Sequence, residues 1–342
     1  PADDPLAGVH LHTSWCHMNP RIGIFTYGDD PHGHLIKKKL EEQHGAWCCL
    51  IPCDELALRG RITWSTQSED PALLPTVDGQ TVDVKTLDAL WYRRMSPKQI
   101  LPDGADATYH QHINATVERV VEGILVNEFQ GRWVSHPVAT RLAENKLVQL
   151  RAAARAGLRI PATLVSQDPA GIRSFCSQHP GAIIKPVATP RGVELARTAE
   201  VSQELLDSDD VLALTPAIYQ ECIPGERHLR ISVVGERCDA ALIEAKDLDW
   251  RFDLNVPFRP YPLDASFEQG LHRTLRELRL VMGIFDVKLT DEDEPVFLEV
   301  NSQGQFLFIE GLCGIPLADQ FAAFLVDQAV QPVSPRPSVD MW

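Results

Sequence analysis

The residues best suited to chemistry lie near the C-terminus. FDVKLT (285–290) and PVFLEVN (295–301) flank the acidic turn DEDE, a strong β-hairpin pattern. Alternation puts Phe285, Val287 and Leu289 on one face and Asp286, Lys288 and Thr290 on the other. Val296, Leu298 and Val300 are expected to share the apolar face, so that Glu299 and Asn301 project beside Asp286. Two carboxylates and an amide oxygen on rigid strands suit Mg²⁺, a hard ion that takes oxygen ligands and keeps waters for phosphates. The same pattern fits a hairpin with one solvated polar face, and spacing alone does not choose between them.

Other candidates are cationic. Lys146 stands near the start of a helical pattern, and Lys185 interrupts the apolar strand AIIKPV (182–187). A buried lysine there needs an anionic partner, whereas an edge lysine snorkels to water. AIYQECIPGE (217–226) can offer a strand backbone to an adenine edge, with Glu226 beyond it for ribose hydroxyls. Arg93 and Arg94, in WYRRMSP (91–97), can clamp a carboxylate. Adjacent strand residues face opposite ways, so only one of them is expected to line a cleft. The bland alternative is one ion pair at the core edge and one solvated arginine. Asp249, Trp250 and Arg251 follow a strand at 238–246 and are placed to meet substrate. No G-x-S-x-G elbow is present, and no G-x-G-x-x-G follows the first strand.

The elements that must position these groups read as follows. A strand at 21–27, a helix at 34–44 stopped by Gly45 and a strand at 48–52 give a parallel β-α-β start. Residues 60–86 read as an antiparallel excursion and 88–95 as a strand; 106–129 reads as a helix finishing in a strand-like LVNEF. After the turn Ser135-His136-Pro137, one helix is predicted with Leu142, Leu147, Leu150 and Ala154 along a single face and Gly157 as its stop. Then come a strand at 162–166, a helix at 168–179, strands at 182–187 and 217–223 around a short helix near 200–208, and antiparallel strands on either side of Gly235-Glu236. Helices at 266–282 and 317–328 complete the pattern.

The chain has 342 residues, 32 Lys plus Arg and 47 Asp plus Glu, a formal charge of -15. That balance argues against a general nucleic-acid binder, which needs a basic field to displace counterions. No window holds 18 consecutive apolar residues, so no membrane span is expected. The start lacks the basic and apolar regions of a signal peptide, which makes the cytoplasm the default. Residues 1–19 are expected to be a flexible arm or vector-derived, and 331–342 a disordered tail. Eight cysteines at irregular spacing read as buried free thiols rather than a disulfide or zinc framework.

The order of the charged residues is specific. It runs Lys146, Lys185 on a strand, a short loop with Gly192, Q-E-x-x-x-G-E from Gln220, Arg230 on a strand, then Asp286 and Glu299-x-Asn301. From about Ser135 to Val330 this resembles the ATP-grasp superfamily of carboxylate–amine ligases. The resemblance implies an α/β fold of α+β lobes with ATP between two of them. Its parts would be an N-terminal α/β, substrate-side domain (20–134), a central domain (135–222) and a C-terminal antiparallel-sheet domain with the Mg²⁺ site (223–330). It also implies that Lys146 and Lys185 hold the phosphates, and that Gln220, Glu221, Cys222 and Ile223 edge the adenine with Glu226 at the ribose. Asp286, Glu299 and Asn301 would then hold Mg²⁺, and Arg230 would stabilise the acyl-phosphate and the tetrahedral species. The loop ATPRGVEL has a single glycine where many members have more; Arg191 is either an added charge for the γ-phosphate or a surface residue.

WYRRMSP, the run 135–166 (SHPVATRLAENKLVQLRAAARAGLRIPATLVS) and EVNSQGQFLFIE (299–310) resemble the graspetide, or microviridin-type, branch. That branch is similar to bacterial glutamate ligases acting on a ribosomal protein's C-terminus. It implies ATP and Mg²⁺ as cofactors and, as partner, a precursor peptide with a leader segment. Asp or Glu side chains of that peptide would be joined to Ser/Thr hydroxyls or Lys amines, giving macrocyclic esters or amides. Arg93, Arg94 and Arg251 would meet the peptide, and a homodimer would be in keeping with relatives. Asn301-Ser302-Gln303-Gly304-Gln305-Phe306 departs from the branch's N-P-x-G-Q-W by Ser for Pro and Phe for Trp. The alternatives are a ligase that joins a free amino acid or small amine to a carboxylate, and an ATP-binding module without catalysis.

Overall fold

The computed structural model describes residues 19–60, 62–67, 72–95, 98–104, 106–188, 198–247, 250–252 and 254–332. The arm at 1–18 and most of the tail, with Arg191, Gly192 and Asp249, lie outside the described residues.

Strands β1 (Arg21–Thr26) and β2 (Trp47–Pro52) run parallel, as do β5 (Ala89–Tyr92) and β6 (Arg132–Val134); β3 (Leu73–Pro75) and β4 (Thr81–Asp83) form a separate small hairpin. The parallel sheet has the order β2-β1-β5-β6. Its connecting helix, Pro31–His44, starts three residues earlier than apolar spacing predicts. Asp30 caps it by accepting from the His32 N–H, and Pro31 opens the first turn. Gly45, at φ 61°, ends it in the left-handed region. Ile36 and Leu40 pack on Ile22, Ile24 and Trp91, and the same core takes Phe321 and Leu325 from the last helix, Leu317–Val330. The two ends of the chain therefore share one core.

Local signals were overridden at two places here. LVNEF is not a strand: the helix His110–Glu128 runs through it, because Val121, Ile124 and Leu125 all reach the core at helical spacing. The single helix expected over 135–157 is two, Pro137–Ala143 and Lys146–Arg155. Asn145 divides them, its side chain accepting from the N–H groups of Leu147 and Val148. The break rotates the expected face away, leaving Leu142 and Leu147 55% and 43% exposed while Leu150 stays buried. It also sets Lys146 at the first position of a helix.

A second sheet orders β7 (Thr163–Ser166), β10 (Ala217–Gln220), β8 (Ile183–Lys185) and β9 (Ala199–Glu200), all antiparallel. The third orders β13 (Phe258–Tyr261), β12 (Arg237–Glu244), β11 (Arg227–Val234), β14 (Met282–Leu289) and β15 (Pro295–Asn301), also antiparallel. The helix before β14, Ala265–Glu277, ends well short of 282, since Gly283 must lie in the sheet. A Cβ there would stand 2.8 Å from the side chains of Leu275 and Val300.

The β14–β15 pairing breaks strict alternation. Asp286 pairs with Glu299 and Val287 with Phe297, so Leu298 is an extra residue in a bulge. Phe297 and Val300 join Phe285, Val287 and Leu289 in the core, whereas Leu298, expected there, turns to the cleft beside Glu299. Among the described residues no helix is long and apolar enough to cross a membrane.

Candidate active site

A cavity of about 230 Å³ opens between the second and third sheets. Lys146, Lys185, Lys288 and Arg251 line it, with Glu221, Asp286 and Glu299. Four cations against three carboxylates make this wall net positive in a chain of formal charge -15. Its floor is the bulged end of the last hairpin. Asp286 Oδ2 accepts from Arg230 Nη1 at 2.7 Å, and Arg230 Nη2 donates to Gln305 O at 3.2 Å. Asp286 Oδ1 and Arg230 Nε are buried with no hydrogen-bond partner among the described residues. Burial pushes the Asp286 carboxyl up against the pull of Arg230. Burial also raises the Glu299 carboxyl, but Lys146, donating at 2.7 Å, and Arg251, at 3.9 Å, turn the net shift downward.

Lys185 Nζ donates to Gln220 Oε1 at 2.9 Å, and Gln220 Nε2 donates to Thr163 Oγ1 at 2.9 Å. A strand lysine is thus aimed by a buried amide rather than released to water. β10 stops at Gln220, so Glu221, Cys222 and Ile223 follow the strand rather than extending it. Glu221 is tied on both sides to Ala162 through its N–H and its carboxylate. Gln220, Glu221 and Ile223 line the cavity; Cys222 and the exposed Glu226 do not. Trp250 packs with Ile243 and Ala245, and the Arg230 guanidinium lies 5.9 Å from its ring centre.

Lys288 also stands on this wall, outside the expected set of site residues. Lys288 lies 3.2 Å from His228 Nε2, both buried, and burial lowers its pKa while Cys222 and Glu226 favour its charge. Its alternation with Asp286 was the available signal.

A second cavity, about 330 Å³, lies across the end of β15. Asn301 lines it, while Glu299 lines the first. Asp286 and Glu299 pair across the hairpin and line the first cavity together, as expected, whereas Asn301 lines the second, its Oδ1 accepting from the Gln303 N–H at 3.1 Å.

Arg93 and Arg94 both line this second cavity, contrary to the expected opposite faces. β5 ends at Tyr92, so strand alternation no longer governs them, and both N–H groups donate to Phe25 O. Arg93 is committed: its Nε donates to Asp30 at 2.5 Å, with 1% and 7% of the two side chains exposed. Burial alone would raise the Asp30 carboxyl, but His32 and Arg93 hold it well below the usual carboxylate range. Arg93 and Arg94 also donate to Gln303 O, at 3.4 and 2.8 Å. His32 Nε2 accepts from the N–H groups of Phe306 and Leu307, at 3.2 and 3.3 Å. The loop after Asn301 is thus held by Arg230 on one side and by Arg93, Arg94 and His32 on the other. Gly304 permits this: a Cβ there would stand 2.7 Å from Ile284. Nothing in GDDPHG marked Asp30 and His32, because their partners lie more than 60 residues away.

The fold has solved counterparts. Macrocyclase MdnC of Microcystis aeruginosa MRC, solved with precursor peptide MdnA, is 26% identical with a TM-score of 0.81, over 90% of this chain and 99% of that one. A probable alpha-L-glutamate ligase of Xanthomonas campestris pv. campestris (strain B100) is 30% identical over 231 residues, 64% of this chain and 78% of that protein. The chain belongs to the ATP-grasp ligases. This ATP-grasp ligase is an ADP-forming enzyme, with the mixed helix-and-sheet fold of that family. A RiPP-associated ATP-grasp ligase of Chryseobacterium gregarium, solved with ADP and a leader and core peptide, shares the fold at TM-score 0.80 and 24% identity, over 93% of this chain and 98% of that one. No family model matches the ligase.

Proposed function

We propose that this ligase crosslinks a ribosomal precursor peptide, joining Asp or Glu side chains to Ser/Thr hydroxyls or Lys amines through an acyl-phosphate. The observation that carries the reading is the net positive first cavity, with the unpartnered Asp286 Oδ1 on its floor, set one strand-end away from a second cavity that bears Arg94. The likeness to MdnC, solved with its precursor peptide over nearly its whole length, supports a peptide substrate. The three sheets correspond in this reading to parts at 20–134, 135–222 and 223–330, with ATP between the second and third.

The donor set fits Mg²⁺: two carboxylates and an amide oxygen, one carboxylate oxygen buried and without a partner. Asp286, Glu299 and Asn301 would hold the ion, which supplies charge neutralisation for the nucleotide's phosphates. Lys146 and Lys185 would hold phosphate oxygens, and Arg191 and Gly192, outside the described residues, are assigned to the same nucleotide. Gln220 to Ile223 edge the adenine, and Glu226 reaches the ribose. A substrate carboxylate oxygen attacks the γ-phosphorus and ADP leaves. The hydroxyl or amine then attacks the acyl carbon, the bond from that carbon to the bridging oxygen breaks so that phosphate leaves with that oxygen and its electron pair, and the nucleophile's proton passes to solvent. Arg230 faces the oxyanion of that step; buried and fixed between Asp286 and Gln305, it needs no reorganisation. No covalent enzyme intermediate is required.

The test is intact mass. With ATP, Mg²⁺ and a leader-bearing acidic precursor peptide encoded beside the gene, the peptide should lose one water per bond formed. A gain of one amino-acid residue on an acceptor, with no leader requirement, would instead support the small-amine ligase, the activity class of the Xanthomonas relatives' name. ATP bound with no acceptor-dependent ADP release would support a module without catalysis.

A further inference from the structure

We propose that the second cavity is the seat of the carboxylate to be activated, with Gln303 and Thr140 as its neutral donors beside Arg94; this rests on the ligase reading above. Gln303 is 3% exposed, and its Oε1 accepts from Trp91 Nε1 at 2.9 Å. An indole N–H only donates, so this bond fixes the amide orientation and leaves Nε2 as a donor. That Nε2 is buried without a partner, and so is the hydroxyl of Thr140, itself 6% exposed. Both residues line the cavity. Arg94 hydrogen-bonds only carbonyl oxygens, those of Arg93 and Gln303, and enters no ion pair among the described residues.

Three residues with donors to spare line one cavity, one of them cationic, and together they suit an anionic ligand with several lone pairs. An ionised carboxylate is that group. A neutral amide of the same shape would turn N–H donors toward donors. The cavity's own carboxylates do not fill the role. Glu122 is paired with Arg141 and Arg119, Glu144 is exposed one turn beyond Thr140, and the half-buried Glu118 makes no ion pair with Arg94. The position suits the chemistry, because Asn301 and Gln303 line this cavity while Glu299, two residues before Asn301, lines the other. Arg93, bound to Asp30, is a positioning residue for this seat.

The probe is N-acetyl-glutamate α-methylamide, which carries one side-chain carboxylate, against the glutamine analogue, each titrated by NMR into protein loaded with Mg²⁺ and AMPPNP. The acid should bind and the amide should not. Gln303→Glu keeps the acceptor for Trp91 but replaces the free donor with an anion; Thr140→Val removes the hydroxyl at constant shape. Each should weaken the acid about tenfold or more, the scale of one charge-assisted hydrogen bond, with nucleotide affinity unchanged. Should Gln303→Glu fail to fold, Thr140→Val and Arg94→Met carry the same comparison. Equal binding of acid and amide by the native protein, or undiminished acid binding in the folded variants, overturns the proposal. Acid binding that depends on these residues, in a protein that releases no ADP with any acceptor, upholds the seat and sinks the crosslinking reading.

Discussion

Glu299→Gln separates the chemistry of the first cavity from its stability. The side chains of Lys146 and Glu299 are 33% and 29% exposed, so their 2.7 Å contact is solvent-screened. Such a pair contributes about 0.2–1 kcal/mol. The isosteric amide should therefore lower the melting temperature by no more than about 1–2 °C. Turnover should fall by about 10²–10³-fold, the scale of losing one preorganised charged group at the reacting centre. Asp286→Asn is the contrast. Arg230 and Asp286 are 8% and 12% exposed, and removing the carboxylate strands a buried guanidinium. Breaking a buried pair costs about 3–5 kcal/mol, so this variant should melt far lower as well as lose activity. Thermal unfolding without nucleotide, beside ADP release with Mg²⁺, reads both quantities. Normal turnover by Glu299→Gln would refute the carboxylate assignment. A melting point as depressed as that of Asp286→Asn would refute the screening argument.

Other outcomes follow from the same geometry. Lys288→Met should weaken ATP affinity several-fold while leaving the melting temperature unchanged or raised, because burial works against that ammonium; unaltered affinity would remove Lys288 from the nucleotide wall. Arg93→Met should destabilise by about 3–5 kcal/mol, since it leaves Asp30 buried without its partner, whereas Arg94→Met should spare stability and raise the KM for peptide. Equal melting losses in the two variants would contradict that division. Burial lowers the pKa of His136 from 6.5 to about 4, so the folded state prefers the neutral ring. Its contribution is intact above about pH 6.5 and is lost as pH falls toward about 4, because the unfolded imidazole binds its proton first. His136→Asn keeps a cap for the Val138 N–H and should remove that part of the slope in urea midpoint against pH; an unchanged slope would contradict the assignment.

The parts of the site that sequence reveals are those with short-range order. Asp286, Glu299, Lys185 and Gln220 sit on strands whose two-residue period sorts faces, and the cavity gathers them as that period requires. Leu298 escaped because a bulge is a pairing event between strands and leaves no mark on one strand's composition. Leu142 and Leu147 escaped because a capping asparagine resets the helical phase. The loop clamp of Asp30, His32, Arg93 and Gln303 was invisible for a different reason: each residue looks like ordinary turn or strand-end chemistry until the chain's two ends meet on a common core.

The central claim is that a peptide carboxylate is activated by phosphoryl transfer before the bond forms. A precursor peptide whose Asp and Glu side chains carry heavy oxygen, incubated with the enzyme, ATP and Mg²⁺, tests it directly. One labelled oxygen should appear in the released inorganic phosphate for each water lost from the peptide. Unlabelled phosphate from a peptide that has nonetheless lost water would contradict it.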